Sequence, residues 1–209
     1  KSKHCDAIHP GYGFLSENAE FARRCKENGI IFVGPDESVL HSLGDKVQSK
    51  LVAKKAGVQT IEGVETPIRN KNEALEIANQ IGYPVMVKAC AGGGGRGMRI
   101  VEKESDLMSS FVSAQNESKK AFGSDDMFIE KYIRNPKHIE VQIIADNHGN
   151  ILHLYERDCS IQRRHQKVVE FAPAFSISEK TKNELHNDAI KICKEVGYTN
   201  AGTVEFLVD

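Results

Sequence analysis

The sequence predicts an α+β body attached to the end of an α/β unit, and two observations support this prediction. Residues 6–34 hold two short apolar runs on either side of one helical pattern, which is typical of a βαβ unit. Later in the chain, alternating apolar and polar residues flank the turn Asp146-Asn147-His148-Gly149-Asn150 and indicate an antiparallel hairpin. Antiparallel strands are therefore expected to dominate the body.

The N-terminal unit is interpreted as the last piece of a Rossmann-like domain. Residues 6–9 predict the end of a buried strand. Ser16 is the expected N-cap of a helix that Gly29 ends, and residues 30–33 predict the second strand.

The middle of the chain predicts helices and strands around a glycine-rich segment. Apolar residues at helical spacing, such as Ala74, Ala78 and Ile81, indicate core-facing helices. The expected elements are two helices over 36–57 divided at Gly44-Asp45, a helix over 71–81, strands over 84–89 and 98–101, and a helix capped by Ser105.

The last third predicts a sheet with one helix packed on it. Strands are expected over 139–143, 151–156 and 201–209, with a helix that begins after Ser178 and ends at Gly197. In the last strand Val204, Phe206 and Val208 share one face, and Thr203, Glu205 and Leu207 share the other.

Composition excludes several classes of protein. The 209 residues include 28 Lys or Arg and 29 Asp or Glu, and a net charge of −1 argues against a dedicated nucleic-acid binder. The absence of a long apolar run argues against a transmembrane helix, and no signal-peptide pattern opens the chain. Five scattered cysteines without a C-x-x-C pair predict neither a disulfide framework nor a zinc site, and they favour a reducing compartment.

The segment Gly92–Gly97 fits G-x-G-x-x-G, but its context differs from a dinucleotide-binding loop. A Rossmann loop leads into a helix, whereas the residues that follow here predict a strand. A glycine hairpin can still bring backbone N–H groups close to phosphates, with Arg96 as an added cation; the alternative is a flexible surface hairpin. Lys88 on the preceding strand is expected opposite Val85 and Val87 and toward the space that the hairpin covers, which favours a nucleotide site.

A resemblance to a known family covers essentially the whole chain. Its longest runs are His9-Pro10-Gly11-Tyr12-Gly13-Phe14-Leu15-Ser16-Glu17-Asn18, Gly44-Asp45-Lys46, Glu130-Lys131-Tyr132, Gln162-Arg163-Arg164-His165-Gln166-Lys167 and Gly202-Thr203-Val204-Glu205-Phe206. The chain resembles the biotin carboxylase domain of the ATP-grasp enzymes. This resemblance implies a truncated ATP-grasp domain over 45–209, with a glycine-rich lid over about 61–132, after a Rossmann-like segment over 1–44.

The resemblance also implies a reaction. In biotin carboxylases ATP phosphorylates bicarbonate to carboxyphosphate, and the released CO2 is captured by biotin on a carrier domain, with Mg²⁺ or Mn²⁺ as the metal. The runs His153–Arg157 and Asn200–Val208 look most like pyruvate carboxylase. The biotin carboxylase subunit of acetyl-CoA or another acyl-CoA carboxylase, a different ATP-grasp ligase and a non-catalytic nucleotide-binding or dimerisation module stay open. A cytoplasmic or, in a eukaryote, mitochondrial homo-oligomer without nucleic-acid or membrane partners is expected.

Site residues follow from the same resemblance. Lys46 and Lys88 would contact the ATP phosphates, Gly94 and Gly95 would cover them, and Met98 joins this ATP-binding set. Glu130, Lys131 and Ile133 would read adenine through backbone groups. His138 would lie near the ribose, with Gln162 and His165 in the same cleft. Lys167 would hold bicarbonate and act with His165 in catalysis, and Glu205 would bind the metal.

Two of these assignments have simpler alternatives when the residues are taken alone. Glu205 could be an ordinary exposed strand carboxylate, although magnesium prefers carboxylates together with substrate phosphates. Residues 162–167 could form a solvated loop. Beside a phosphate lid, a cationic loop that collects bicarbonate and stabilises its phosphorylation is expected instead.

In the family, a second magnesium carboxylate, the base that deprotonates bicarbonate and several arginines lie after the position of Asp209. A missing base removes help worth roughly 10² to 10⁴ in rate. We therefore expect that this polypeptide by itself does not turn over.

Overall fold

A computed structural model describes residues 4–11, 13, 15–44, 46–64, 66–68, 70–90, 96–163 and 166–209, without the side chain of Lys46. The elements are β1 (Ala7–Ile8), α1 (Ala19–Glu27), β2 (Ile31–Phe32), α2 (Glu37–Gly44), α3 (Lys46–Lys55), α4 (Lys71–Ile81), β3 (Val85–Ala89), β4 (Met98–Val101), α5 (Glu104–Phe122), β5 (Met127–Lys131), β6 (Lys137–Ala145), β7 (Ile151–Arg163), β8 (Gln166–Phe171), α6 (Glu179–Glu195) and β9 (Asn200–Val208). They form sheets in the orders β1-β2, β4-β3-β5 and β8-β7-β6-β9.

The N-terminal βαβ unit is present, with β1 and β2 parallel and α1 between them in the chain. Two details of its prediction are wrong. Asn18, not Ser16, caps α1: its side-chain oxygen accepts the N–H of Phe21, whereas Ser16 lies in the preceding turn. The first strand is not buried, since Ala7 is exposed and Ile8 half-buried. Within the described residues β1 pairs with β2 alone, which leaves most of its surface open.

The three-stranded sheet, here called the lid sheet, is antiparallel and packs one face on α4 and α5. That core is fully buried and consists of Ile68, Ala74, Ala78, Val85, Val87, Ala89, Val101, Leu107, Phe111, Ala114, Met127 and Ile129. The helix α5 begins two residues earlier than expected. Lys103 occupies the N-cap position without a side-chain bond, and the Ser105 hydroxyl instead bonds the carboxylate of Asp106.

The four-stranded sheet, here called the body sheet, is antiparallel throughout. Its buried face packs Val141 and Ile143 against Ala189 and Cys193 of α6, which Ser178 caps as expected. Strand β7 runs seven residues past its expected end at Glu156 and pairs with β8. The predicted loop over 162–167 is therefore wrong at its ends, because Gln162 and Lys167 are paired strand residues.

Helix α3 lies between the two sheets and contacts both. At its start Val47 packs with Cys90 and Phe128 of the lid sheet region, and further along Ala53 packs with Ile192 and Val204 of the body. The helix therefore fixes how the outer face of the lid sheet meets the body.

The α+β class is confirmed. Four of the five cysteines are buried and Cys5 is exposed. Among the described residues, every helix is too short or too polar to cross a membrane.

We expect Phe111→Ala to lower the local unfolding free energy of the lid sheet by about 3–5 kcal/mol, because the lost ring leaves a cavity under the sheet. Amide hydrogen exchange of β3 and β5 in the full-length protein measures this loss. Ile100→Ala is the matched control, since Ile100 is 43% exposed and its truncation should cost only about 0.5 kcal/mol. Equal losses of protection in the two variants would contradict the assigned core.

Candidate active site

The outer face of the lid sheet carries the predicted lysine. Lys88 on β3 pairs in register with Phe128 on β5, and Met86 pairs with Glu130, so these four side chains share the face that meets α3. Val85 and Val87 point to the opposite face and are fully buried. The prediction that Lys88 faces away from the two valines is confirmed.

The carboxylate of Glu130 is shared by two lysines. Lys88 Nζ donates to Glu130 Oε1, and Lys50 Nζ, from α3, lies 2.6 Å from Glu130 Oε2. Glu130 is only 3% exposed, and both lysine nitrogens lie within 6 Å of the Phe128 ring centre. Burial opposes ionisation of Glu130, but the charges of Lys88 and then Lys50 outweigh it and hold the pKa of this carboxyl below its ordinary value. We call Lys50, Lys88 and Glu130 the lysine pair cluster.

A second cluster lies on the exposed face of the body sheet. Glu140 on β6 pairs in register with Glu205 on β9 and with Arg157 on β7, which places all three side chains on one face. Arg157 donates through Nε to Glu140 Oε1 at 2.6 Å and through Nη1 to Gln142 Oε1 at 3.0 Å. Glu140 is 2% exposed, so its buried negative charge needs the positive partner that Arg157 provides.

Lys167 on β8 joins the two carboxylates. Its Nζ donates to Glu140 Oε2 and, at 2.6 Å, to Glu205 Oε1. Partial burial opposes the charge on Lys167, but Glu140 and Glu205 outweigh it and raise the pKa of the ammonium group. Burial likewise opposes ionisation of Glu140, and Lys167 and Arg157 overcome it and lower the pKa of that carboxyl.

His138 lies on the same face, between Gln162 and Glu205. The Gln162 amide Nε2 donates to the Cys159 carbonyl at 3.0 Å and lies 2.7 Å from His138 Nδ1. Nδ1 therefore accepts, and the ring proton sits on Nε2, which is 3.5 Å from Glu205 Oε2. The imidazole first and Lys167 next, against the opposing effect of burial, lower the pKa of Glu205 to about 2. We call His138, Glu140, Arg157, Lys167 and Glu205 the sheet-face cluster.

One carboxylate of this cluster suits a magnesium ion. Glu205 is ionised at any physiological pH, and its side chain is 51% exposed, so an oxygen can reach a hard cation. A second group of potential ligands, Glu140, Cys159 and Glu170, suits a metal poorly. Burial and then Glu140 raise the pKa of the Cys159 thiol to about 12, and the oxygens of Glu140 already accept from Arg157 and Lys167.

The remaining predicted residues lie on or just after the lid sheet, or outside the described residues. Met98 pairs with Lys88 across β3 and β4. The Lys131 side chain turns away from the lysine pair cluster and donates to the carbonyls of Gly82 and Tyr83, and its amide donates to Glu62. Ile133 follows the paired end of β5 and is half-buried. The Lys46 side chain, Gly94, Gly95 and His165 lie outside the described residues.

Sequence reasoning assigned no role to Lys50, Glu140 or Arg157. A signal existed for two of them. Lys50 is four residues after Lys46 and so shares its face of α3, and Glu140 alternates with His138 on the polar face of a half-buried strand. Arg157 had no such signal, because only strand register places it beside Glu140.

Comparisons with known proteins agree with the fold. Residues 45–209 match the family described as carbamoyl-phosphate synthase L chain, ATP binding domain, and residues 1–40 match the biotin carboxylase N-terminal domain. Over 209 residues the chain is 52% identical to the mitochondrial pyruvate carboxylase of Homo sapiens. The match covers all of this chain and only 18% of the length of that protein.

Two solved structures superpose on the whole chain. One is a biotin carboxylase from Campylobacter jejuni in a beta-gamma-ATP complex, with 51% identity, a TM-score of 0.97 and 47% of its chain covered. The other is the biotin carboxylase domain dimer of Hydrogenobacter thermophilus 2-oxoglutarate carboxylase with MgADP, ADP and bicarbonate, with 51% identity, a TM-score of 0.96 and 46% covered. The family match spans most of the chain, and the resemblance to biotin carboxylase domains is confirmed. The chain thus belongs to the carbamoyl-phosphate synthase L chain ATP-binding domain family, in the form that follows a biotin carboxylase N-terminal domain.

Proposed function

We propose that this chain is part of the biotin carboxylase domain of a pyruvate carboxylase. The observation that carries the proposal is the position of Lys167 between two carboxylates, with His138 on the same sheet face. Lys167, a cation for an anionic substrate, thus lies in direct contact with Glu205, a carboxylate for a metal. The full-length relatives are several times longer, so the reaction belongs to the whole protein that contains this chain.

The proposed reaction has two stages. The γ-phosphoryl group of ATP is transferred to a bicarbonate oxygen, which gives ADP and carboxyphosphate. Carboxyphosphate then releases inorganic phosphate and CO2; the CO2 bonds to the ureido nitrogen of biotin, and the released phosphate takes up the proton that this nitrogen loses. The biotin is carried by a biotinylated carrier domain, and we propose a homo-oligomeric protein of the cytoplasm or mitochondrial matrix.

Each cluster has a part in this scheme. Lys88, with Lys46, would bind phosphates beneath Gly94 and Gly95, and the end of β5 at Glu130, Lys131 and Ile133 would contact the adenine near Met98. His138, Gln162 and His165 would line the rest of the cleft. A bound Mg²⁺ or Mn²⁺ supplies charge neutralisation for the transferred phosphoryl group, and Glu205 is the residue here that would hold it.

Lys167 bonds the carboxylate that would hold the metal and would itself bind bicarbonate. Lys167 and Arg157 match Glu140 and Glu205 in charge, and Glu170, 3.5 Å from Arg157, adds one further negative charge. Lys167 donates two of its three ammonium N–H groups to Glu140 and Glu205, so the third would be available to bicarbonate.

The domain division stays part of this proposal. We propose a Rossmann-like segment over residues 1–44 and an ATP-grasp segment over 45–209, with a lid over about 61–132. The four-stranded body sheet and the lid sheet support the assignment of the larger segment, 45–209.

The direct test measures ADP release by the full-length protein. We expect release to require bicarbonate and to rise with free biotin or the biotinylated carrier, and pyruvate to be the acceptor that discharges carboxybiotin. Bicarbonate-dependent release without any effect of biotin would instead identify another ATP-grasp ligase. Discharge by an acyl-CoA or 2-oxoglutarate and not by pyruvate would change the assigned acceptor.

We expect Lys167→Gln to reduce kcat by about 10² to 10³, because it removes a charged donor from the developing carboxyphosphate. The KM for bicarbonate should rise while the KM for ATP changes little. Lys167→Arg keeps the charge and should recover part of the rate. A change in the ATP KM with an unaltered bicarbonate KM would contradict the assignment.

We expect Glu205→Gln to raise the Mg²⁺ concentration for half-maximal ADP release at least about tenfold, because a metal ligand loses its charge. The folded pKa of Glu205 lies below its unfolded value, so the carboxylate is fully charged above about pH 4.5. The Mg²⁺ requirement should therefore show no loss from Glu205 protonation between pH 6 and pH 8. Glu170→Gln, an exposed carboxylate beside Arg157, is the control and should leave the requirement unchanged.

A further inference from the structure

Lys50 holds a nearly buried position that none of the roles above uses. Its Nζ is fixed on three sides: Glu130 Oε2 lies at 2.6 Å, the Ile61 carbonyl at 3.2 Å, and the Phe128 ring centre at 5.5 Å. The side chain is 17% exposed, about as much as that of Lys88. The ammonium group is therefore placed at a defined point beneath the lid sheet.

The charge count of the lysine pair cluster depends on Lys50. Lys50 and Lys88 each contribute +1 and Glu130 contributes −1, which sums to +1. With Lys88 and Glu130 alone the sum is zero, and Lys88 would be a closed ion pair. At partly buried sites charges interact strongly, so one surplus positive charge changes the attraction for an anion.

We propose that Lys50 is a positioning residue of the nucleotide site, an inference that rests on the function proposed above. Lys50 supplies the second positive charge on Glu130, so that Lys88 keeps a surplus of charge for the phosphates of the nucleotide. The Glu130 carboxylate pairs with both ammonium groups, so its side chain sets the net charge of the cluster, a role separate from its backbone contacts.

A purely structural role explains this arrangement less well. A buried ion pair adds little to stability, because the cost of removing the charges from water offsets their attraction. Lys50 also lies beside Phe128, where an apolar side chain would pack without that cost. A second lysine on one carboxylate leaves a net positive charge, and a phosphate ligand would bind to that charge.

The test compares ligands of increasing charge. Binding of ATP, ADP and adenosine is measured by competition calorimetry on the full-length protein and its variants. We expect Lys50→Met to weaken ATP about tenfold or more, ADP less, and adenosine less than twofold. Added salt should shrink the difference for ATP, because the lost term is electrostatic.

Three further variants separate charge from folding. Lys50→Arg keeps the charge and should stay within about threefold of the wild type for ATP. In Lys50→Met/Glu130→Gln the cluster again sums to +1, so ATP affinity should recover most of its loss. Lys55→Gln on the same helix, whose partner Glu195 lies on α6, is the control and should bind all three ligands as the wild type does.

The outcomes are distinct. Equal losses for adenosine and ATP, or no recovery in the double variant, would overturn the inference, as would unchanged ATP binding by Lys50→Met. Failure of the wild-type protein to bind ATP would overturn the proposed function and this inference with it. If Lys50→Met does not fold, the double variant and Lys50→Arg decide: wild-type-like ATP binding by both supports the inference, and a tenfold loss in either overturns it.

Discussion

Two glutamates face each other on neighbouring strands and repel each other, and the arrangement of the body sheet depends on the positive charges that offset this repulsion. Glu140 and Glu205 are paired in register, and like charges in such pairs destabilise a sheet. Lys167 meets the repulsion by binding both carboxylates from β8, and Arg157 binds Glu140 from β7. Four strands are therefore linked at one point on the face that carries Glu140, where bicarbonate and a metal would bind under the proposed function.

Helix α3 joins this site to the lid sheet. Its apolar residues pack on both sides, Val47 toward Phe128 and Ala53 toward Val204, while Lys50 reaches the buried carboxylate of Glu130. A displacement of α3 would disturb the packing against both sheets together. One helix thus contacts both the sheet that carries the lysine pair cluster and the sheet that carries the sheet-face cluster.

Patterns within one element were predictable, whereas partners on other elements were not. The core stripe of α4, the Ser178 cap and the two faces of β9 follow from local spacing, and the structure agrees with each. The caps predicted at Ser16 and Ser105 are wrong because, in each case, a residue two positions away has the extended backbone that a cap needs. Lys88 followed from its strand and the glycine hairpin, and the other predicted site residues came from a resemblance to a family. Arg157 needed strand register, which no single segment contains.

The two clusters use opposite charge arrangements. In the lysine pair cluster one carboxylate serves two cations, which leaves a surplus of positive charge. In the sheet-face cluster one lysine serves two carboxylates, and Arg157 serves Glu140 and lies 3.5 Å from Glu170, so no surplus of positive charge remains. The first is ready for an anion without any change. In the second, Lys167 uses two of its three N–H groups on carboxylates, so under the proposed function one N–H would be left for bicarbonate. Under the proposed function, phosphates would therefore meet a surplus of positive charge at the lid sheet, whereas bicarbonate would meet a lysine already shared by two carboxylates at the body sheet.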